Sequence, residues 1–177
     1  MMIHKNIMLA LLLFFLPYYV TAQPSETNTK YDLTTIDGTI EALYASISGE
    51  KGEQRDWVTF RNLFTEGAKL IPAGISPDGN FRYRYMSPED YIQNSGPWLV
   101  ENGFIEEEIH HETDRFDPIA HVFSTYTSRN TAGGEIIDRG INSIQLFYDG
   151  DRWWVVNIYW TGEREGHPIP QEYNAKD

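Results

Sequence analysis

Residues 139–160 read RGINSIQLFYDGDRWWVVNIYW, two apolar-rich arms flanking an Asp-Gly pair. Asp-Gly between alternating residues is a hairpin signal. If Asp149-Gly150 is a two-residue loop, Asn142, Ile144, Leu146, Trp153, Val155, Asn157 and Tyr159 share one face. Ile141, Ser143, Gln145, Phe147, Trp154, Val156, Ile158 and Trp160 take the other, with Arg139 at its end. A sheet that only covers a core needs one apolar face, and this hairpin has two. One face is expected to pack on helices. The other is expected to meet a second subunit, because a patch that large rarely stays exposed on a monomer.

Period-two patterning extends upstream of the hairpin. Residues 104–112 and 119–128 read as strands joined by a turn at 115–118, and 136–148 is the first arm of the hairpin after a Gly-rich loop at 130–135. Before residue 104 the period is helical. Ile36, Ile40, Leu43, Tyr44 and Ile47 form one face of an amphipathic helix. Asp56 caps a second helix carrying Trp57, Phe60, Leu63 and Phe64 and closing at Gly67. Leu70-Ile71 reads as a short strand, and Phe81 to Tyr85 as another after the turn Pro77-Asp78-Gly79-Asn80. Ser87-Pro88-Glu89-Asp90 opens a third helix, which Gly96-Pro97 is expected to break. Helices first and hairpin-linked strands last predict an α+β domain, with helices on one face of an antiparallel sheet.

The N-terminus has a different composition. His4 and Lys5 precede an unbroken apolar run from Ile7 to Leu16, and Val20-Thr21-Ala22 offers small residues to a signal peptidase. A run this short is a secretory core rather than a spanning helix, which needs about 20 apolar residues. Residues 1–22 are therefore expected to be a signal peptide, 23–32 a flexible lead-in, 33–163 the folded domain and 164–177 a polar C-terminal tail. Export to the periplasm or beyond follows, with no membrane attachment after cleavage. The chain has no cysteine, which excludes disulfides, thiolate metal sites and a Cys nucleophile. Its 26 acidic residues outnumber 14 Lys and Arg, and no basic cluster marks a nucleic-acid footprint.

The segments IAHVFSTY (119–126), RGINSIQL (139–146) and the Asp149-Gly150-Asp151-Arg152-Trp153 hairpin resemble a bacterial branch of the NTF2-like superfamily, the fold of SnoaL-like cyclases and ketosteroid isomerase. The resemblance covers about residues 33–162. It implies a cone in which N-terminal helices and a strongly bent antiparallel sheet enclose a pocket. Enzymatic members place an Asp, alone or with a His or Arg, in that pocket, but none of their motifs can be matched here residue by residue.

The polar residues within the strands are the site candidates. His121 could act as a general acid or base, or be a hydrogen-bonded structural histidine. Arg139 could hold a carboxylate, or form an ion pair with Glu163 or Asp138. Asn142 and Asn157 could each fix a polar group of a ligand, and Trp57, Tyr91 and Trp160 could supply aromatic walls. His110 and His111 are adjacent on a strand and point to opposite faces, so they cannot readily share a metal ion. Glu106, Glu108, His110 and Glu112 align as a solvated face. The expected function is binding, and cofactor-free acid–base transformation, of a small apolar or amphipathic molecule by a homodimer paired through the sheet. The alternative is a non-catalytic interaction module.

Overall fold

A computed structural model describes residues 30–175, so the expected signal peptide and most of the expected lead-in lie outside the described residues. Three helices, α1 (Ile36–Ile47), α2 (Trp57–Leu63) and α3 (Pro88–Asn102), accompany six strands. These are β1 (Phe64–Ile75), β2 (Phe81–Tyr83), β3 (Ile105–Phe116), β4 (Ile119–Arg129), β5 (Asp138–Tyr148) and β6 (Trp153–Gly162). They form one sheet in the order β2-β1-β6-β5-β4-β3. All neighbours are antiparallel except β1 and β6, which run parallel, so the sheet is mixed rather than purely antiparallel.

Local chemistry sets the helix starts. Thr35 accepts from the Gly38 amide at 3.0 Å to cap α1, and Asp56 accepts from the Thr59 amide at 2.9 Å to cap α2. Ser87 and Asp90 form a reciprocal capping box on α3, with Pro88 in its first turn. Two helix ends differ from the sequence expectation. Helix α2 stops at Leu63, because Phe64 already pairs with Val155 of β6, and Gly67, at φ 78°, lies within the register shift of β1. Helix α3 runs through Pro97 to Asn102. The carbonyl that loses its partner there is that of Gln93, and both residues are exposed, so water can replace the missing hydrogen bond.

The helical layer packs on the inner face of the sheet. Ile40, Leu43, Tyr44, Ile47, Phe60 and Leu63 meet Val122, Ile144, Leu146, Trp153, Val155 and Ile158 in one buried core. Each such side chain contributes about 1.5–3 kcal/mol when fully buried.

The 139–160 hairpin departs from its simplest reading twice. Tyr148 pairs with Trp153, so the loop has four residues, Asp149 to Arg152, rather than two. The Asp149 carboxylate holds it by accepting from the amides of Asp151 at 2.8 Å and Arg152 at 2.9 Å. The pairs Gln145–Asn157 and Leu146–Val155 then leave Val156 as an extra residue, a β-bulge. The bulge turns Ile158 and Trp160 inward beside Asn142 and Ile144, and puts Asn157 and Tyr159 outside. A second bulge, at Ile109, follows from the pairs Glu108–Tyr126 and His110–Thr125. It splits the expected solvated face: Glu106 and Glu108 turn inward with Tyr126, while His110 and Glu112 stay outside.

The outer face is partly covered by the chain itself. After β6 the tail folds back, and the Thr125 hydroxyl donates to the Tyr173 carbonyl at 2.6 Å while the Tyr173 ring packs edge-on against Phe123. Ile169, within this strap, is buried. Beyond the strap, Phe116, Ile119 and Phe147 remain exposed.

Candidate functional site

The inner face holds a cavity of about 150 Å³ between the helices and the bent sheet. Leu43, Ile47, Phe60, Leu70, Phe104 and Ile158 make it apolar, and Trp160 and Tyr91 add aromatic wall. The polar groups facing it are Tyr44, Glu106, Tyr126, Asp138 and Asn142.

Glu106 dominates the electrostatics. Burial pushes its carboxyl up to about 8, a hydrogen bond from Asn142 partly opposes this, and the Asp138 carboxylate adds to it. Its remaining accessible surface is that of a residue lining a cavity. At neutral pH Glu106 is therefore largely a neutral carboxylic acid, a hydrogen-bond donor rather than an anion. Asp138 is raised in the same direction, chiefly by desolvation, but lies at the exposed end of β5. Burial also raises Tyr44, Tyr91 and Tyr126 well above the usual phenol range, so all three stay protonated.

A hydrogen-bonded chain orients these groups. The Asn142 amide donates to the Tyr44 hydroxyl at 2.9 Å. Tyr44 lies 2.7 Å from Ser124 Oγ, and Ser124 donates to Glu108 at 2.5 Å. With Glu108 as the acceptor at the end, every hydroxyl in the chain points the same way, which fixes the Asn142 amide. Tyr126 donates to Asp138 at 3.2 Å. It does so by lying across Gly140, where a β-carbon would come within 2.5 Å of the Tyr126 hydroxyl oxygen. Only glycine leaves that space. Tyr91 differs: no hydrogen bond engages its hydroxyl among the described residues, so it is free for a ligand in the cavity.

The structure brings together Tyr91, Asn142 and Trp160 from the sequence candidates and separates the others. His121 is on the outer face, with Nε2 2.9 Å from the Ser143 hydroxyl. Arg139 is also outside, 3.4 Å from Glu163 and donating to Asn174 at 2.7 Å, so it is an ion-paired anchor for the tail rather than a pocket cation. Asn157 sits outside opposite Gln145, moved there by the Val156 bulge. Trp57 lies between α2 and α3, edge-on to Phe60 at 5.6 Å and against Gly96, and does not line the cavity. The residues missed in the sequence are Glu106, Tyr44, Tyr126 and Asp138. The Tyr126–Gly140 cross-strand pair was the one readable signal, an aromatic opposite a glycine. Glu106 had none, because it sits in the run EEE on the far side of an unsignalled bulge. No group of His, Asp or Glu able to hold a metal ion occurs among the described residues.

No protein-family model matches the chain, and no curated protein matches it either. Solved structures do. A cystatin-like-fold protein of unknown function from Nostoc punctiforme superposes with a TM-score of 0.56 at 12% identity, covering 73% of this chain and 90% of its own. A candidate dehydratase of the NTF2-like family from Streptomyces avermitilis gives 0.53 at 11%, covering 75% and 96%. An NTF-2-like protein of unknown function from Silicibacter pomeroyi gives 0.50 at 12%, covering 72% and 92%. With three helices on the concave face of a six-stranded bent sheet, the chain has the NTF2-like fold.

Proposed function

We propose that the domain binds a small, mostly apolar molecule bearing a carbonyl or hydroxyl oxygen, and moves a proton on it without a cofactor. One observation carries this reading: a carboxyl group held protonated at neutral pH inside an aromatic cavity. A neutral acid and a free phenol facing one space are a pair of donors for an oxygen that gains negative charge as a neighbouring proton leaves. Glu106 and Tyr91 are those donors. Asp138, at the mouth and steadied by Tyr126, is the group placed to take the proton as base. The volume limits the ligand, since an apolar cavity of ~150 Å³ holds a molecule the size of benzene. One ring or a short chain fits. The same acid–base class covers dehydration, the reaction for which the S. avermitilis neighbour is named.

The test is exchange of α-protons for deuterium in a single-ring ketone, followed by NMR with the purified chain. Glu106→Gln keeps the shape and removes the acid, and should slow exchange by about 10²–10⁴-fold. In the native chain the rate should fall as pH rises through about 8, where Glu106 ionises. Exchange unchanged in the variant, or a rate that climbs through that pH, overturns the assignment.

Pairing of two copies through the sheet is a second reading, supported by the exposed Phe116, Ile119 and Phe147 on the uncovered half of the outer face. Export remains part of the proposal on the strength of the 1–22 leader sequence.

A further inference from the structure

The outer face carries a second cavity, larger than the first at about 350 Å³. Its floor is Phe123, Ile141, Ser143 and Tyr159, and its roof is the returning strap from Glu163 to Pro170. The strap is fastened on both sides of the gap. Glu163 receives Arg139 and the Ile169 amide, the latter at 2.9 Å. Beyond the prolines, Tyr173 and Asn174 are held by Thr125 and Arg139. Pro168 and Pro170 stiffen the span between the anchors. The roof is thus held off the floor by its own fastenings and cannot settle onto the apolar strands. Two observations point to an occupant: this space lies within the range of small-molecule sites, about 300–1,000 Å³, and an unpaired cation lines it.

That cation is Arg164. Arg61, Arg82, Arg129 and Arg139 each hold a carboxylate, but Arg164 holds none among the described residues. Its Nε is buried without a hydrogen-bond partner, which is costly for a guanidinium. Its guanidinium lies over the exposed Phe81 ring, 5.4 Å from the ring centre. The one carboxylate beside it in the cavity wall, Glu163, is already engaged by Arg139 and Ile169. His167 adds a second nitrogen donor to the same wall.

We propose that this outer cavity is a second ligand site, for an amphipathic monocarboxylate. Its apolar body lies on Phe123, Ile141 and Tyr159, and its carboxylate is held by Arg164. A planar carboxylate matches the guanidinium fork. A single charge suits a site with one arginine in a chain of net charge −12, whereas a dianion would meet that field unopposed. The site is separate from Glu106, which does not line it, although Trp160 borders both cavities.

The experiment is calorimetric titration of the full chain with decanoate, with decanol as the uncharged control. Decanoate should bind once per chain, and decanol about ten-fold more weakly. Arg164→Gln should weaken decanoate about ten-fold or more, while Glu106→Gln should leave it unchanged. Methyl NMR of the native protein gives the location without any variant, and decanoate should shift Ile141 and Ile169 but not Leu43 or Ile47. The proposal is overturned if decanoate fails to bind or Arg164→Gln binds it equally well. Methyl shifts confined to the inner cavity, or binding lost in Glu106→Gln, would overturn it as well.

Discussion

The two faces of β5 and β6 use the same stretch of chain for opposite chemistry. On the inner face, Asn142, Ile158 and Trp160 close on an enclosed carboxyl that burial keeps neutral. On the outer face, one residue along, Ile141, Ser143 and Tyr159 floor a cavity roofed by the tail and lined by an unpaired guanidinium. Strand alternation alone would give two equivalent greasy faces. What separates them is a pair of single-residue bulges, at Ile109 and Val156, which decide which polar groups enter the cone. Small register events, more than composition, assign chemistry to each side.

Shifting β6 by one residue at its bulge should collapse the distinction. Deleting both Val156 and Asn157 puts Ile158 directly after Val155 in strict alternation, driving Ile158 and Trp160 out of the core and Tyr159 into it. The expected result is loss of cooperative unfolding and of inner-cavity binding, seen in a thermal melt followed by circular dichroism. A double-deletion variant that melts like the native chain would mean the register after Val155 does not set the faces.

Glu106→Gln sharpens the comparison with a smaller effect, one that depends on pH. The folded-state carboxyl titrates at about 8, against 4.5 for a freely solvated glutamate, so above 4.5 the native state holds a proton that the unfolded chain releases. Stability contributed at this site is therefore highest below about 4.5, falls as pH rises towards 8 and is level above that. The Gln variant lacks that slope. Relative to native protein it should gain on the order of a few kcal/mol between pH 4 and pH 9, allowing for solvent in the cavity. Denaturant melts at the two pH values measure the difference, and the outer-site variant Arg164→Gln should not share it.

The parts of the fold legible in the sequence were those governed by local rules. Asp56 and Ser87 announce their helices through side-chain caps, and the α1 face Ile40-Leu43-Tyr44-Ile47 carries the helical period in full. The order of helices before strands, with the 139–160 hairpin, was enough to expect an α+β domain, and the resemblance to NTF2-like proteins implied the cone. Non-local events were not legible. The parallel pairing of β1 with β6 joins residues 91 apart in sequence at Phe64 and Val155, and no local pattern encodes it. The candidate site suffered more, since a bulge displaces every residue after it. Asn142, before the Val156 bulge, was placed with the inner core residues Ile144 and Leu146, whereas Asn157, after it, was placed on the wrong face. Glu106 looked like surface because Glu107 and Glu108 surround it, and only tertiary burial makes it unusual. His121 drew attention for its chemistry but is held by Ser143 on the other side of the sheet.

The central claim is that Glu106 is a neutral acid in the inner cavity at physiological pH. Its side-chain carboxyl carbon can be followed by ¹³C NMR as pH is varied, with Glu106→Gln identifying the resonance. The account predicts a midpoint of about 8. A midpoint near 4.5, that of an ordinary solvated glutamate, would contradict it and remove the acid from the proposed site.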